Sequence, residues 1–262
     1  MDQLAKYIYC IIPCDEDRIF DVTSIGGKSY EVSTIRHDGL AVVASDSPEV
    51  TYENTRSNMI AHEKVLERVI QQFTLLPVRF GTVADAASPV ESIQNLLRSR
   101  CQEFTELLKD IEGKVELGLK AFWRDEKAIY SEILAEHPEI TRLRNRLAGK
   151  PTEAIRFQGI ELGRMVKEAL GLKKSQEAAK QLAKLLPLAE RTRENNTMAD
   201  RMIFNVSFLI DARSEVEFDR AVDVLDAEYG DRIGFKYVGP TPPYNFVDIV
   251  VNWEDLTQSC LR

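Results

Sequence analysis

The chain has 262 residues, of which 44% are hydrophobic and 29% are charged, and its formal net charge at pH 7 is −8. An acidic balance without a concentrated basic face disfavours two classes of protein, non-specific nucleic-acid binders and proteins that bind anionic lipid membranes. The length suits two domains of ordinary size. No apolar run reaches the roughly 18 residues of a membrane span, and residues 1–6 lack the pattern of a secretory signal.

The cysteines match no metal-ligand pattern. There are four of them, Cys10, Cys14, Cys101 and Cys260. Scattered cysteines without such a pattern are typical of free thiols in a reducing compartment. We therefore expect a cytoplasmic protein.

The first half of the chain combines short strands with one long helix. Strands are predicted at 4–12, 29–36, 40–44 and 75–83. The sequence His37-Asp38-Gly39 is typical of a tight hairpin between the second and third strands. The helix is predicted from apolar-stripe positions spaced by three or four residues: Met59, His62, Leu66, Val69 and Phe73. A short polar helix or loop at 15–18 follows the first strand, so the order is close to βαββαβ and predicts an antiparallel sheet with helices on one face.

The second half predicts another antiparallel sheet with helices on one side. A helix at 88–110 precedes a strand in which Val115, Leu117, Leu119 and Ala121 alternate with other residues. A helical stretch at 124–186 follows, with breaks at Pro138, at 149–151 and at Gly171. The remaining predicted elements are a polar link at 191–196, strands at 203–210, 232–239 and 246–251, and a helix at 214–229.

The most informative segment is 75–83, which is short, apolar and strand-like, with one arginine. Pro77 suits the start of a strand, and Gly81 suits an exit with positive φ. Alternation places Arg79 on the face opposite Val78 and Phe80. Because an unpaired buried charge is costly, Arg79 needs a carboxylate, a backbone carbonyl or a partner protein. An internal ion pair and a partner contact both remain open.

The sequence offers no catalytic, cofactor-binding or metal-binding signature. The three histidines, His37, His62 and His137, are not at metal-ligand spacing. His62 lies on the apolar stripe of its helix, where a hydrogen-bonded core histidine is a better interpretation than a switch or a ligand. No glycine-rich phosphate loop or nucleophile elbow occurs. These observations favour a noncatalytic protein.

Two aromatic residues follow a proline-rich turn near the end of the chain. Tyr244 and Phe246 suit either an exposed aromatic anchor for a partner or the start of the last strand. Sequence reasoning leaves both alternatives open.

Several segments together resemble one family. The sequence Leu76-Pro77-Val78-Arg79-Phe80-Gly81-Thr82 is similar to a segment of the gas vesicle accessory proteins F and L, the GvpF/GvpL family, with the F-like branch favoured. The opening strand, the 115–123 strand and the Phe235–Phe246 segment support the resemblance. It covers both ends and the middle of the chain, whereas 142–196 matches no motif of the family.

The resemblance implies a fold and a domain division. The predicted fold class is α+β with two domains, each an antiparallel sheet with helices packed on it. The domains are 1–112 and 113–262, and the second is modified ferredoxin-like with a helical insertion at about 124–190. No iron–sulfur chemistry follows, because the cysteine spacing is wrong for a cluster.

The resemblance also implies a function. We expect a noncatalytic accessory and minor structural component of gas vesicles, which binds the main shell protein during nucleation and assembly and prevents its aggregation. Other gas vesicle accessory proteins are expected partners, whereas nucleic acid, lipid membranes and cofactors are not. The candidate partner-binding residues are Arg79, Phe80, Tyr244 and Phe246. The alternative is a small-ligand-binding or enzymatic α+β protein, because ferredoxin-like sheets host many activities.

Overall fold

The structure is a computed structural model, and it describes residues 4–27, 30–84, 87–251 and 253. The chain forms two compact units. The N-terminal unit comprises 1–116 together with 240–262, and the central unit comprises 117–239. The predicted boundary at 112/113 lies close to the first division, at 116/117. The segment from Pro240, which was predicted to belong to the second domain, groups with the first unit. No helix in the described ranges is both long and apolar enough to span a bilayer.

The N-terminal unit is built on a six-stranded sheet. Its strands are β1 (Ala5–Pro13), β2 (Ile19–Phe20), β3 (Val32–His37), β4 (Leu40–Ser47), β5 (Leu76–Pro77) and β6 (Val83–Ala84). The strand order is β2-β3-β4-β1-β5, and β6 also pairs with β1. Asp38 and Gly39 both have positive φ, 47° and 78°, as a two-residue hairpin turn between β3 and β4 requires.

Three helices cover this sheet on both faces. They are α1 (Arg56–Ile70), α2 (Pro89–Ser99) and α3 (Cys101–Ile111). Val65, Leu66 and Val69 of α1 pack on one face with Tyr7 and Tyr9. On the other face, Ile8 and Ile11 pack with residues of α2 and α3, among them Ile93, Leu97 and Phe104. The prediction of helices on one face was therefore wrong, because both sides of β1 are apolar and each needs a cover.

The second sheet has the strand order β10-β7-β9-β8. Its strands are β7 (Lys114–Trp123), β8 (Arg191–Glu194), β9 (Met202–Asp211) and β10 (Ile233–Thr241). The helices α4 (Glu126–Glu136), α5 (Pro138–Leu147) and α6 (Thr152–Leu185) lie between β7 and β8 in the chain, and α7 (Glu215–Tyr229) lies between β9 and β10. In chain order this is β-α-β-β-α-β, the ferredoxin-like arrangement, with three helices in place of the first one.

Several predicted elements differ from the structure. The polar link at 191–196 contains an edge strand, β8, whose four residues are all exposed and carry no apolar pattern. The predicted strand at 246–251 makes only a bridge at Ile249 within the described residues. The helix at 88–110 is two helices, and α6 continues through Gly171. A helix-interior glycine costs only about 1 kcal/mol, whereas prolines end α4 and precede α6 because they lack an N–H donor.

Candidate partner-binding surface

The 75–83 segment is a short strand followed by a turn. Only Leu76 and Pro77 belong to β5, and the backbone N–H of Val78 donates to the Tyr9 carbonyl at 3.0 Å. Gly81 has a φ of 83°, which reverses the chain towards β6. Val78 packs with the α2 and α3 side of the sheet, whereas Phe80 packs with the α1 side. The predicted alternation was therefore wrong for this pair, because the chain leaves the strand before Phe80.

Arg79 forms an ion pair with a carboxylate from the far end of the chain. Its Nη2 lies 2.9 Å from Asp248 Oδ1 and 3.2 Å from Oδ2, and its Nε lies 3.2 Å from Oδ1. The two side chains are 63% and 65% exposed. Exposed ion pairs contribute about 0–1 kcal/mol to stability, so this guanidinium lies at the surface and is weakly held. Whether a partner also contacts Arg79 stays a prediction.

The three aromatic candidates are all half-buried. The Phe80 ring lies 5.8 Å from the His62 ring and 6.4 Å from the Tyr7 ring. Tyr244 packs against the same cluster, and its hydroxyl donates to both carboxylate oxygens of Glu63 at 3.0 Å. Phe246 follows a turn in which its N–H donates to the Pro243 carbonyl. Neither Tyr244 nor Phe246 begins a strand, and their role as partner anchors stays a prediction.

A buried network of tyrosine and histidine lies beneath Phe80. The Tyr7 hydroxyl accepts from the Gly81 N–H at 3.0 Å and lies 3.0 Å from His62 Nδ1. The direction of the Tyr7–His62 hydrogen bond depends on the His62 tautomer, and the other ring nitrogen, the buried Nε2, has no hydrogen-bond partner among the described residues. Burial lowers the pKa of His62 to about 4. His62 is thus a hydrogen-bonded core histidine that positions the turn carrying Phe80 and Gly81.

Burial also changes the acidity of the groups around Tyr244. It raises the pKa of Glu63, an effect that the hydrogen bond from Tyr244 opposes. The pKa of Tyr244 is raised by burial and by the charge of Glu63. The phenol therefore remains the donor to the Glu63 carboxylate at neutral pH.

The segment that follows β10 lies across the N-terminal unit, and we call residues 242–251 the C-terminal strap. Asn245 binds Glu116 twice, through its backbone N–H at 2.8 Å and its side-chain amide at 2.5 Å. Arg100 Nη1 donates to the Val250 carbonyl at 2.9 Å. Ile249 forms a parallel bridge with Val78. These contacts place Arg100 and Asp248 beside the candidate residues, and the buried carboxylate of Glu116 anchors Asn245.

Sequence reasoning missed Arg100, Glu116 and Asp248. The available signal was the alternation of Val247, Asp248 and Ile249, in which an acidic residue separates two apolar ones. It predicted a strand but could not show which charge Asp248 meets, because Arg79 lies 169 residues away in sequence. All four candidate residues belong to the N-terminal unit, and both Phe80 and Tyr244 pack against the α1 side of its sheet.

Within the described ranges, neither the histidines nor the thiols gather into a ligand set. In the part of the chain that the structure describes, no group of three or more His, Cys, Asp or Glu side chains is arranged to hold a metal ion. Cys10 and Cys14 are buried free thiols, and Cys101 is a half-buried one. Burial raises the pKa of the Cys10 thiol, which keeps it protonated and unreactive. Cys260 lies outside the described residues.

Comparison with known proteins identifies the family. Residues 5–248 match the sequence profile of the family described as "Gas vesicle synthesis protein GvpL/GvpF". The chain belongs to this family. Gas vesicle protein F of Nostoc sp. is 30% identical over 246 residues, which cover 93% of this chain and 98% of the relative. Gas vesicle protein F1 of Halobacterium salinarum is 30% identical over 251 residues and covers 95% of both chains.

Solved structures agree with this assignment. The crystal structure of gas vesicle protein GvpF from Anabaena sp. has a TM-score of 0.78 at 30% identity, and the match covers 95% of this chain and 100% of that one. GvpF from Microcystis aeruginosa has a TM-score of 0.75 at 27% identity, with 94% and 100% covered. These matches confirm the predicted α+β fold class and the resemblance. Family membership supports an accessory role in gas vesicles.

Proposed function

We propose that this chain is a noncatalytic accessory and minor structural component of gas vesicles that binds the main shell protein during nucleation and assembly. In this role it also contacts other gas vesicle accessory proteins and acts in the cytoplasm, at the vesicle. Family membership supports the vesicle context. The observation that carries the binding role is the exposed guanidinium of Arg79. This residue lies in the segment 76–82, whose sequence resembles the family, and beside a buried apolar cluster.

The physical basis is the protection of unpaired β-structure. A shell subunit with apolar strands tends to aggregate through its open strand edges. A stable scaffold with its own strand edges can cap such an edge by main-chain pairing. In this chain β8 is a terminal strand of the second sheet with four exposed residues, and β2 is a terminal strand of the first. The scaffold thus delays association of the shell protein until assembly.

The test is co-purification of the tagged chain with the main shell protein at moderate and high salt. We expect retention, and survival of the complex at high salt would indicate apolar or strand-edge contacts. Arg79→Ala should weaken capture without changing the melting temperature, because the pair with Asp248 is exposed. Arg36→Ala is the matched control, since Arg36 forms another exposed ion pair of the same unit, with Asp17.

Two results would contradict the proposal. If both proteins are folded and no complex forms at either salt concentration, direct capture of the shell protein is wrong. If Arg36→Ala weakens capture as much as Arg79→Ala does, the loss reflects a general change in charge and Arg79 has no particular role.

A further inference from the structure

The C-terminal strap packs on the N-terminal unit in the manner of a bound peptide. The apolar residues beneath it, together with Arg79 and Arg100, are called the groove: Leu76, Val78, Ile93, Leu97 and Phe104. It runs beside Val78, with which Ile249 forms a parallel bridge. On its other side Val78 is hydrogen-bonded to β1 through the Tyr9 carbonyl. The strap therefore lies beside the residue that follows β5, at the edge of the first sheet. Strand edges of this kind accept extended segments in many recognition domains.

The side chains of the strap alternate between groove and solvent. Val247 and Ile249 are 5% and 1% exposed, whereas Asp248 and Val250 are exposed. The two buried residues pack in the apolar cluster that contains Leu76, Val78, Ile93, Leu97 and Phe104, and Val251 packs partly against it. The groove thus recognises apolar residues at every second position of an extended chain.

Two arginines line the groove and point at the strap. Arg79 binds the Asp248 carboxylate, and Arg100 donates to the Val250 carbonyl. Arg100 is fixed by Glu103 and by its position 4.8 Å over the Phe104 ring. Because Glu103 pairs the charge of Arg100, Arg79 is the one of the two that favours a ligand with a carboxylate between its apolar residues, whereas Arg100 binds the ligand backbone.

The strap is held mainly by its side chains. Among the described residues its only β-bridge is at Ile249, and the Arg79–Asp248 pair is mostly exposed. Tyr244 and Asn245 anchor its first part through Glu63 and Glu116. An extended partner segment with the same alternation can make the same side-chain contacts, which gives it a means of replacing the strap.

We propose that the groove is the binding site for an extended segment of a partner protein, in which apolar residues alternate with an acidic one, and that the strap is its internal competitor. This inference rests on the proposed function in that the partner is the shell protein. The strap lowers the apparent affinity, since only chains with an open groove can bind.

The first experiment uses a fluorescent peptide with the sequence of residues 242–251 and the full-length chain. In the variant Tyr244→Phe/Asp248→Asn, the strap loses its bonds to Glu63 and its charge pair with Arg79. We expect this variant to bind the peptide at least about tenfold more tightly than the unmodified chain, because its groove opens more often. Asp17→Asn is the matched control, since it removes an exposed partner of Arg36 outside the groove.

The second experiment closes the groove reversibly. Val78 and Ile249 are bridge partners packed in one cluster, so the variant Val78→Cys/Ile249→Cys can form a disulfide that fixes the strap. The oxidised variant should not bind the peptide, and reduction should restore binding in the same sample. A peptide of the same composition, reordered to remove the alternation, should bind neither form.

Several outcomes would overturn the inference. Equal peptide binding by the oxidised and reduced forms would place the site elsewhere. An affinity unchanged by Tyr244→Phe/Asp248→Asn would show that the strap does not compete. If the chain rejects the peptide and instead forms dimers by exchanging straps, the occupant is a second copy of the chain.

The shell protein separates this inference from the proposed function. If the peptide binds only the open form and the shell protein is never captured, the groove is supported and the proposed function fails. If the shell protein is captured equally by the oxidised and reduced forms, the function stands and the groove inference fails.

Discussion

Each unit of the molecule contains a polar network, and the two networks use different chemistry. In the N-terminal unit, Tyr7 and His62 are neutral, and His62 is 2% exposed. In the central unit, Arg232 binds Glu132 and Glu177, and the Arg232 side chain remains 38% exposed. The neutral network is buried although His62 Nε2 has no hydrogen-bond partner among the described residues, whereas ions retain contact with water because their desolvation costs more.

The charged network connects three parts of the central unit. Arg232 precedes β10, Glu132 lies on α4 and Glu177 lies on α6. The guanidinium lies 2.6 and 2.8 Å from the two Glu132 oxygens and 2.8 Å from Glu177. The Trp123 indole also donates to Glu177 at 2.7 Å. The network thus holds two helices against the end of a strand, whereas the pair of Arg79 and Asp248 is itself exposed.

The largest effect is expected at His62. His62→Ala removes a buried ring that packs between Tyr9 and Phe80 and removes a hydrogen-bond partner of the Tyr7 hydroxyl. We expect a loss of roughly 2–4 kcal/mol in the free energy of unfolding. Denaturant unfolding of the full chain measures it. A loss no larger than that of Arg232→Ala would contradict the difference between the two networks.

A smaller loss is expected at Arg232. Arg232→Ala leaves Glu177 without its cation, but the partial exposure of the site lets water compensate. We expect a loss of about 1–2 kcal/mol in the free energy of unfolding. Arg164→Ala is the control, because Arg164 pairs with Glu161 and Glu168 on the exposed surface of α6. The control should unfold at nearly the same denaturant concentration as the unmodified chain.

The two networks should also respond to acid in different pH ranges. The pKa of His62 falls from 6.5 to about 4 on folding. As the pH is lowered, His62 is therefore protonated first in the unfolded chain, and the stability of the folded chain decreases between pH 6.5 and about pH 4. The pKa of Glu132 falls from 4.5 to about 2, chiefly because Arg232 binds the carboxylate. Its contribution is present above 4.5 and is lost as the pH falls through about 2.

Two variants separate these ranges in melting curves recorded from pH 7 to about pH 2. His62→Gln should reduce the pH dependence of the melting temperature in the range assigned to His62 and leave it unchanged in the range assigned to Glu132. Glu132→Gln should have the opposite effect. If either variant changes both ranges equally, the assignment of the ranges to separate networks is wrong.

The smallest effect on stability is expected at Arg79. Its pair with Asp248 is more exposed than either network, so Arg79→Ala should cost at most about 0.5 kcal/mol. A drop in melting temperature comparable to that of Arg232→Ala would assign Arg79 a structural role. If the melting temperature of Arg79→Ala drops in this way and its capture of the shell protein is unchanged, Arg79 does not belong to the proposed binding surface.

Local patterns predicted much of the fold. The alternation of Leu117, Leu119 and Ala121 predicted a strand with one buried face, and all three are buried in β7. Asp38 and Gly39 form the predicted hairpin turn. The edge strand β8 was missed because its residues, Arg191 to Glu194, are all exposed and polar, and it is a strand only through its pairing with β9.

The candidate surface was predicted in part. The residue pattern singled out Arg79 and Tyr244, but it could not supply their partners Asp248 and Glu63, which lie 169 and 181 residues away along the chain. Alternation in 247–249 indicated an extended segment with apolar residues on one side. It did not distinguish a strand within a sheet from a strap in a groove.

The sequence by itself determined the fold class, the helix and strand periods and the positions of most turns, because side-chain spacing, glycine and proline act over a few residues. Tertiary structure alone decided which faces of the first sheet are covered and where the C-terminal strap lies. It also decided which carboxylate meets each arginine. The physical reason is that burial and ion pairing depend on surfaces that meet only when distant segments pack together.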